Sequence, residues 1–301
     1  MLSVSEYFLH PKRLAVPILM HFGSWIPDKY YLKLIYRLKM GRKLDLEHPK
    51  RYTEKLQWLK LYDRKDEYTT IVDKYAVKEY ITNLIGNEYI IPTIGVWDKP
   101  ESINWDLMPN QFVLKTTNGG GGTGVIICRD KSNFDFTTAV SKLKNSMKIN
   151  LYHTTREWPY KNVIPRIIAE KYLEDDSGEL RDYKFYCFNG VPKVMLLASE
   201  RFSAHNFNYY DMDFHQLPIN SAVGGKSSIE FKRPDCFEEM KKISRSLCQN
   251  FAHVRVDLYY SNNKIYFGEL TLFDSSGYDN FNSDEEDLRW GSWLNLPKHF
   301  D

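Results

Sequence analysis

Residues 254–272 read VRVDLYYSNNKIYFGELTL, two runs of β-branched, aromatic and aliphatic residues on either side of the turn signal Asn262-Asn263. Side chains two apart on a strand point the same way, so Arg255 and Asp257 share one face of the first run. Glu269 and Thr271 likewise share one face of the second. Pairing the runs through the short turn from Ser261 to Lys264 brings Asp257 and Glu269 close enough to share a divalent cation. Oxygen-only ligands of this kind suit Mg²⁺ carried in with a nucleotide. The plainer alternative is a hairpin whose four polar positions face solvent. Immediately after it, DSSGY (274–278) is a loop of small residues. It is suited to holding an anion through backbone N–H groups and serine hydroxyls, or else is an ordinary turn.

The same strand texture extends upstream to QFVLKTT (111–117), GVIICRD (124–130), IIAEKYL (167–173) and KFYCFNGVPKVMLLA (184–198), the last divided by Asn189-Gly190. Helical stretches at about 137–149 and 235–251 interrupt the series. The first hundred residues read as helical: Leu32, Ile35, Tyr36 and Leu38, then Leu56, Leu59 and Leu61, each form an apolar stripe, separated by a basic loop with Gly41, Arg42, Lys43 and Pro49. TIVDKYAVKEYITNLIG (70–86) reads as one further helix, carrying Asp73 and Lys74 and stopped by Gly86. Helices interleaved with strand pairs predict an α+β or mixed architecture, with a helical region over 1–69 ahead of 70–301.

FVLKTTNGGGGTGVIICRD (112–130) places Gly119, Gly120, Gly121 and Gly122, then Gly124, between two strands. Such a loop exposes several N–H groups without Cβ obstruction and can close over polyphosphate oxygens, with Lys115 adding an ammonium. By itself it is equally a flexible turn. G-x-x-x-x-G-K-[ST] is missing, and a strand rather than a helix follows the glycines, which excludes the P-loop and the dinucleotide fold. The layout is similar to a protein-kinase lid, yet neither H-R-D nor D-F-G occurs. What favours a nucleotide–Mg²⁺ cleft is the coincidence of a basic glycine hairpin upstream with a paired-carboxylate hairpin downstream.

Composition sets the outer bounds. The 301 residues suffice for two or three lobes around one cleft or for one large domain, and a formal charge of +2 requires neither a nucleic acid nor an anionic membrane as partner. Cys128, Cys187, Cys236 and Cys248 make no C-x-x-C or zinc pattern and read as reduced, mostly buried thiols of a cytosolic protein. Leu14 to Ile26, interrupted by Pro17, His21 and Ser24, is too short to span a bilayer and is expected to be a packed helix or a contact with a membrane surface. Of the tryptophans, Trp290 and Trp293 are the candidates for an exposed role. Asp211 and Asp213 form a D-x-D match away from both hairpins.

An ordered set of segments resembles the TupA-like branch of the ATP-grasp superfamily, named for teichuronopeptide synthesis. The set is EKLQWLKLYDR, VDKYAVKEYI, MPNQFVLK, the glycine loop, AEKYLED, RDYKFYCFNG, VRVDLYY and FGELTLFDSSGY, covering roughly 50–290. The resemblance implies an ATP-grasp fold, with antiparallel strands of two α+β lobes clasping the nucleotide and the lid lobe at about 108–168. It implies Lys74 and Lys115 on the phosphates of ATP, and Glu170, Lys171 and Leu173 at the adenine hinge. Asp182 falls near the ribose or metal, Lys184 on the terminal phosphates, and Arg255 on the transferred phosphoryl group. Asp257 and Glu269 match the Mg²⁺ ligands. Thr271 stands where relatives usually carry a third, asparagine ligand. Ser275, Ser276 and Gly277 replace a Pro-Gly-Ser-Gly loop, and Asn118 with its longer glycine run replaces a lid of the H-D-S-G-G kind. The implied activity is a carboxylate–amine ligase working through an acyl phosphate, joining an amino acid or amino sugar to a sugar acid in cell-surface polysaccharide assembly. An ATP-grasp kinase, a glycosyltransferase and a non-catalytic nucleotide-binding module are the alternatives. A cytoplasmic site, at the inner face of the membrane if the N-terminal region touches lipid, goes with this reading.

Overall fold

The hairpin expected from residues 254–272 is formed and lies at one edge of a five-stranded antiparallel sheet. The computed structural model describes residues 11–199, 206–219, 231–279 and 281–298. In chain order its strands are β1 (Thr93–Trp97), β2 (Phe112–Thr116), β3 (Ile126–Cys128), β4 (Ile167–Lys171), β5 (Asp182–Phe188), β6 (Val191–Ser199), β7 (Asn206–Tyr210), β8 (His253–Ser261) and β9 (Lys264–Thr271). The first four form a sheet in the order β1-β4-β2-β3, the other five a sheet in the order β7-β6-β5-β8-β9, and every pairing is antiparallel. The helices are α1 (Pro11–Phe22), α2 (Asp28–Met40), α3 (Tyr52–Tyr62), α4 (Glu67–Val72), α5 (Ala76–Ile85), α6 (Phe136–Met147), α7 (Leu151–Thr155), α8 (Phe237–Leu247) and α9 (Asp284–Trp293). The architecture is α+β.

Alternation along β8 decides how the larger sheet is covered. Val254, Val256 and Leu258 enter the same apolar cluster as Phe237, Met240, Ile243 and Leu247 of α8. The polar face is covered as well, since His253, Arg255 and Asp257 are 3%, 8% and 1% exposed. Part of the cover is α3, whose Tyr52 hydroxyl lies 3.1 Å from His253 Nε2. Arg51, just before α3, pairs with Asp284 at the start of α9, and Lys55 donates to the carbonyls of Gly291 and Leu294 at its end. In the smaller sheet α6 supplies Leu143 to a core of Phe112, Leu114, Ile167 and Ala169.

Several expectations need correction. The run 70–86 is two helices, because Asp73 adopts an extended conformation and its Oδ1 accepts from the N–H groups of Tyr75 and Ala76, starting α5 afresh. Asp73 and Lys74 therefore sit in the break. Residues 69 and 70 both lie in α4, and Leu56 and Leu59 of α3 join the core cluster of the larger sheet. Residues 1–10 of the expected helical region lie outside the described part. Strands β1 and β7, each at a sheet edge, are additions to the strands read from the sequence. Trp290 is 1% exposed and packs among Tyr52, Tyr186 and Phe281, so its expected exposed role is withdrawn. No helix among the described residues is long and apolar enough to cross a membrane.

His253 offers a test of this packing. With Nδ1–H directed at the Leu272 carbonyl, Nε2 accepts from Tyr52, and burial pulls the imidazole down to about 4. The unfolded chain takes up this proton near pH 6.5. Stability is therefore retained above that pH and lost as pH falls toward 4, by a few kcal/mol on the order of 1.4 per pH unit. Urea unfolding followed between pH 7 and 4 should show this slope, and His253→Asn should flatten it.

Candidate functional site

The β8–β9 register sets Asp257 directly opposite Glu269 and Arg255 opposite Thr271. The register slips just beyond Asp257, leaving Gly268 as the extra residue of a bulge. A Cβ at Gly268 would stand 2.9 Å from the Tyr259 ring and 3.0 Å from the Asp257 carbonyl, so the close approach requires glycine. Asn262 and Asn263, at φ 51° and 56°, close the turn.

On the face so formed Arg255 is the hub. Its Nε and Nη2 each lie 2.7 Å from an oxygen of Asp257, and Nη2 also reaches Glu269 at 2.9 Å and Thr271 Oγ1 at 3.1 Å. Nη1 pairs with Asp274, whose other oxygen accepts from the Tyr186 hydroxyl at 2.6 Å. From β5, where Lys184 is in register with Asp257, the Lys184 ammonium pairs with Asp257 and, at 3.2 Å, with Asp182. Burial opposes charge on Arg255, but Asp257 and Asp274 outweigh it and hold the guanidinium well above its usual range. Burial would likewise raise Glu269; Arg255, Lys74 and Lys184 overcome it and set the carboxyl at about 2.

A second constellation lies in the smaller sheet. Glu170 of β4 pairs with Lys115 of β2 at 2.6 Å and with Lys78 of α5. Burial raises the Glu170 carboxyl, and the two lysines more than offset it. Lys115, Glu170, Lys171 and Leu173 line one cavity together with the apolar side chains of Ile91, Val113, Val125, Ile127 and Tyr259, although Lys171 itself stays exposed. Lys74 links the two constellations. It feels Glu269, Lys115 and Glu170, while its ammonium donates to the carbonyl of Gly119 at the root of the glycine loop. Gly121, Gly122 and Gly124 adopt positive φ, and a Cβ added at Gly121 or Gly122, at the tip, would point into open space. Asn118 anchors the loop through its amide to the carbonyls of Met147 and Ile149.

The 274–277 segment is a 3₁₀ turn in which Ser275, Ser276 and Gly277 all have positive φ. Beneath it the fully buried Lys60 donates to the Ser276 carbonyl at 2.8 Å and hydroxyl at 2.9 Å, and Gln57 to the carbonyls of Ser276 and Gly277. Burial draws the Lys60 ammonium down to about 7 even with Glu157 beside it. Sequence reasoning did not single out Lys60, Glu157, Lys78 or Asp274. Lys60 and Lys78 do lie in EKLQWLKLYDR and VDKYAVKEYI, the latter one turn beyond Lys74. The D-x-D match is a surface turn: Asp211 Oδ1 accepts from the N–H groups of Asp213 and His215.

A hard divalent cation fits the first constellation. Its donors are carboxylate oxygens, Asp257 and Glu269 are near enough to share one guanidinium, and Thr271 Oγ1 lies 3.0 Å from Glu269. Asp182, Asp257, Glu269 and Asp274 stand against Lys74, Lys184 and Arg255, one negative charge in excess.

The TupA-like ATPgrasp family model matches residues 54–295. No curated protein matches the chain. Among solved structures it is similar to D-alanine–D-alanine ligase from Helicobacter pylori, at 14% identity and TM-score 0.42 over 82% of this chain and 70% of that one. D-alanine–D-alanine ligase from Bacillus anthracis complexed with ATP is similar at 16% and 0.40, over 67% and 54%. The biotin carboxylase domain of Hydrogenobacter thermophilus 2-oxoglutarate carboxylase follows at 13% and 0.41, over 95% and 56%. The chain thus spans little more than half the length of the latter two, and likenesses at these TM-scores leave the assignment to the family match. That match takes in most of the chain, which belongs to the TupA-like ATP-grasp family, within a superfamily of carboxylate–amine ligases.

Proposed function

We propose that the protein is an ATP- and Mg²⁺-dependent carboxylate–amine ligase working through an acyl phosphate. Its substrates in this reading are a sugar acid and an amino acid or amino sugar, joined in the cytoplasm during cell-surface polysaccharide assembly. The observation that carries the reading is the Arg255 network on β8–β9, linked through Lys74 to the Lys115–Glu170 cavity and the glycine loop.

In this assignment the apolar cavity with Glu170, Lys171 and Leu173 takes the adenine, and Asp182 the ribose or metal side. Lys74, Lys115 and Gly119 to Gly122 take the phosphates. Asp257 and Glu269, with Thr271 beside them, would hold Mg²⁺, which supplies positive charge against the terminal phosphates. Lys184 and Arg255 stabilise charge on the phosphoryl group as it passes to a carboxylate oxygen, two anions that otherwise repel. Ser275, Ser276 and Gly277 present small polar groups to the carboxylate. Residues 119–124 would close as a lid and keep water from the acyl phosphate until the amine attacks. No serine or cysteine nucleophile is needed.

Incubation with ATP, Mg²⁺, pooled sugar acids and pooled amines should yield ADP, phosphate and a new amide mass. With substrate labelled by ¹⁸O in its carboxyl group, one labelled oxygen should appear in the released phosphate, because amine attack breaks the bond between the acyl carbon and that oxygen. A phosphorylated product without free phosphate would instead make the enzyme a kinase, and turnover of a nucleotide sugar without ATP a transferase.

Two substitutions separate metal from nucleotide. Glu269→Gln should abolish Mg²⁺-dependent ADP formation while the circular-dichroism spectrum is retained; near-wild-type turnover would remove the carboxylate pair from the mechanism. Lys115→Ala should weaken ATP binding, read by calorimetry, by about 1.5–3 kcal/mol, the scale of a hydrogen bond to a charged group.

A further inference from the structure

Of the twelve large apolar side chains that stand exposed among the described residues, five fall between positions 18 and 34: Ile18, Phe22, Trp25, Tyr30 and Leu34. Exposed apolar residues scattered singly are ordinary; a cluster marks a contact surface. Trp25 is 81% exposed, Tyr30 67% and Phe22 66%. Their spacing is helical. Ile18, Phe22 and Trp25 follow one side of α1 and the 3₁₀ turn after it, and Tyr30 and Leu34 one side of α2. Other positions of the pair, among them Leu19, Tyr31, Leu32 and Ile35, are packed inside.

Charge selects the partner. Lys33 and Arg37 continue the Tyr30–Leu34 stripe at i+3 and i+7, and Lys29 lies beside it, all three exposed. Asp28, the one acid between residues 15 and 43, is paired with Arg64 at 2.6 Å and Arg156 at 3.1 Å. Aromatic and aliphatic tips among lysine and arginine, with the neighbouring acid already neutralised, suit the headgroup boundary of an anionic bilayer. We propose that the α1–α2 hairpin rests on an anionic lipid surface, with Phe22, Trp25 and Tyr30 among the headgroups and Lys29, Lys33 and Arg37 against lipid phosphates. Neither helix crosses the bilayer, so the contact lies in the interfacial plane. A second copy of the chain is the poorer occupant, because a self-pairing would bring two faces of one sign together. The contact needs no part of the ligase reading.

Flotation of the full chain with phosphatidylcholine–phosphatidylglycerol vesicles, and with phosphatidylcholine vesicles alone, tests this. Binding is expected to the anionic vesicles, weakened by salt, with brominated lipid quenching fluorescence that Trp25→Phe removes. Phe22→Ser with Trp25→Ser, and separately Lys29→Glu with Lys33→Glu, should each lower the partition on the order of tenfold at unchanged melting temperature. No binding to anionic vesicles, or binding unchanged in both pairs, overturns the proposal. So does a wild-type dimer in sedimentation that the Phe22/Trp25 pair makes monomeric, since the face would then belong to a second copy.

Discussion

Arg255 lies beneath the surface with 8% of the residue exposed, and a guanidinium so placed must have its desolvation offset by close, well-directed anions. Asp257 from its own strand, Glu269 from the adjacent strand and Asp274 from the following turn meet that requirement together. Much else follows from it. The β8–β9 register must hold Glu269 opposite Asp257, the bulge must fall at Gly268, and the chain after β9 must turn so that Asp274 reaches back. Tyr186 of β5 then grips the far oxygen of Asp274, so a third strand is drawn into the same electrostatic unit.

The interruption of the 67–85 helical run has its physical reason in the other lobe. Asp73 caps α5 with one oxygen and pairs through the other with Arg166, at 2.8 Å, beside the start of β4. The Lys74 N–H donates to the Thr117 carbonyl and its ammonium to that of Gly119. An unbroken helix would keep that N–H in its own ladder and separate these groups from the smaller sheet. The break between α4 and α5 thus fastens the root of the glycine loop, and Lys78, one turn later, fastens β4 through Glu170.

The turn at 274–277 follows the same logic of local cost against tertiary support. Two serines at positive φ are unfavourable by themselves. Lys60 and Gln57, reaching up from α3, bond the carbonyls this conformation presents. A buried ammonium is expensive in turn, and Glu157 and the Thr155 carbonyl offset it. The N-terminal helices are therefore part of the support of the candidate substrate loop.

Period-two alternation sufficed to find both hairpins and the shared face of Asp257 and Glu269, because strand direction and side-chain facing are local properties of the backbone. The order of the motifs along the chain carried the family. Exposure was another matter: whether the polar face of β8 meets solvent stays open on the sequence, and Trp290 reads as exposed, until α3 and α9 are seen to cover them. The break at Asp73 and the bond from Lys60 to Ser276 across 216 positions were not legible either, because their partners lie far along the chain. Local sequence determined which elements form and which way their side chains point. Only the tertiary structure decided which polar groups are buried together, because desolvation depends on what packs over a residue and not on its neighbours in the chain.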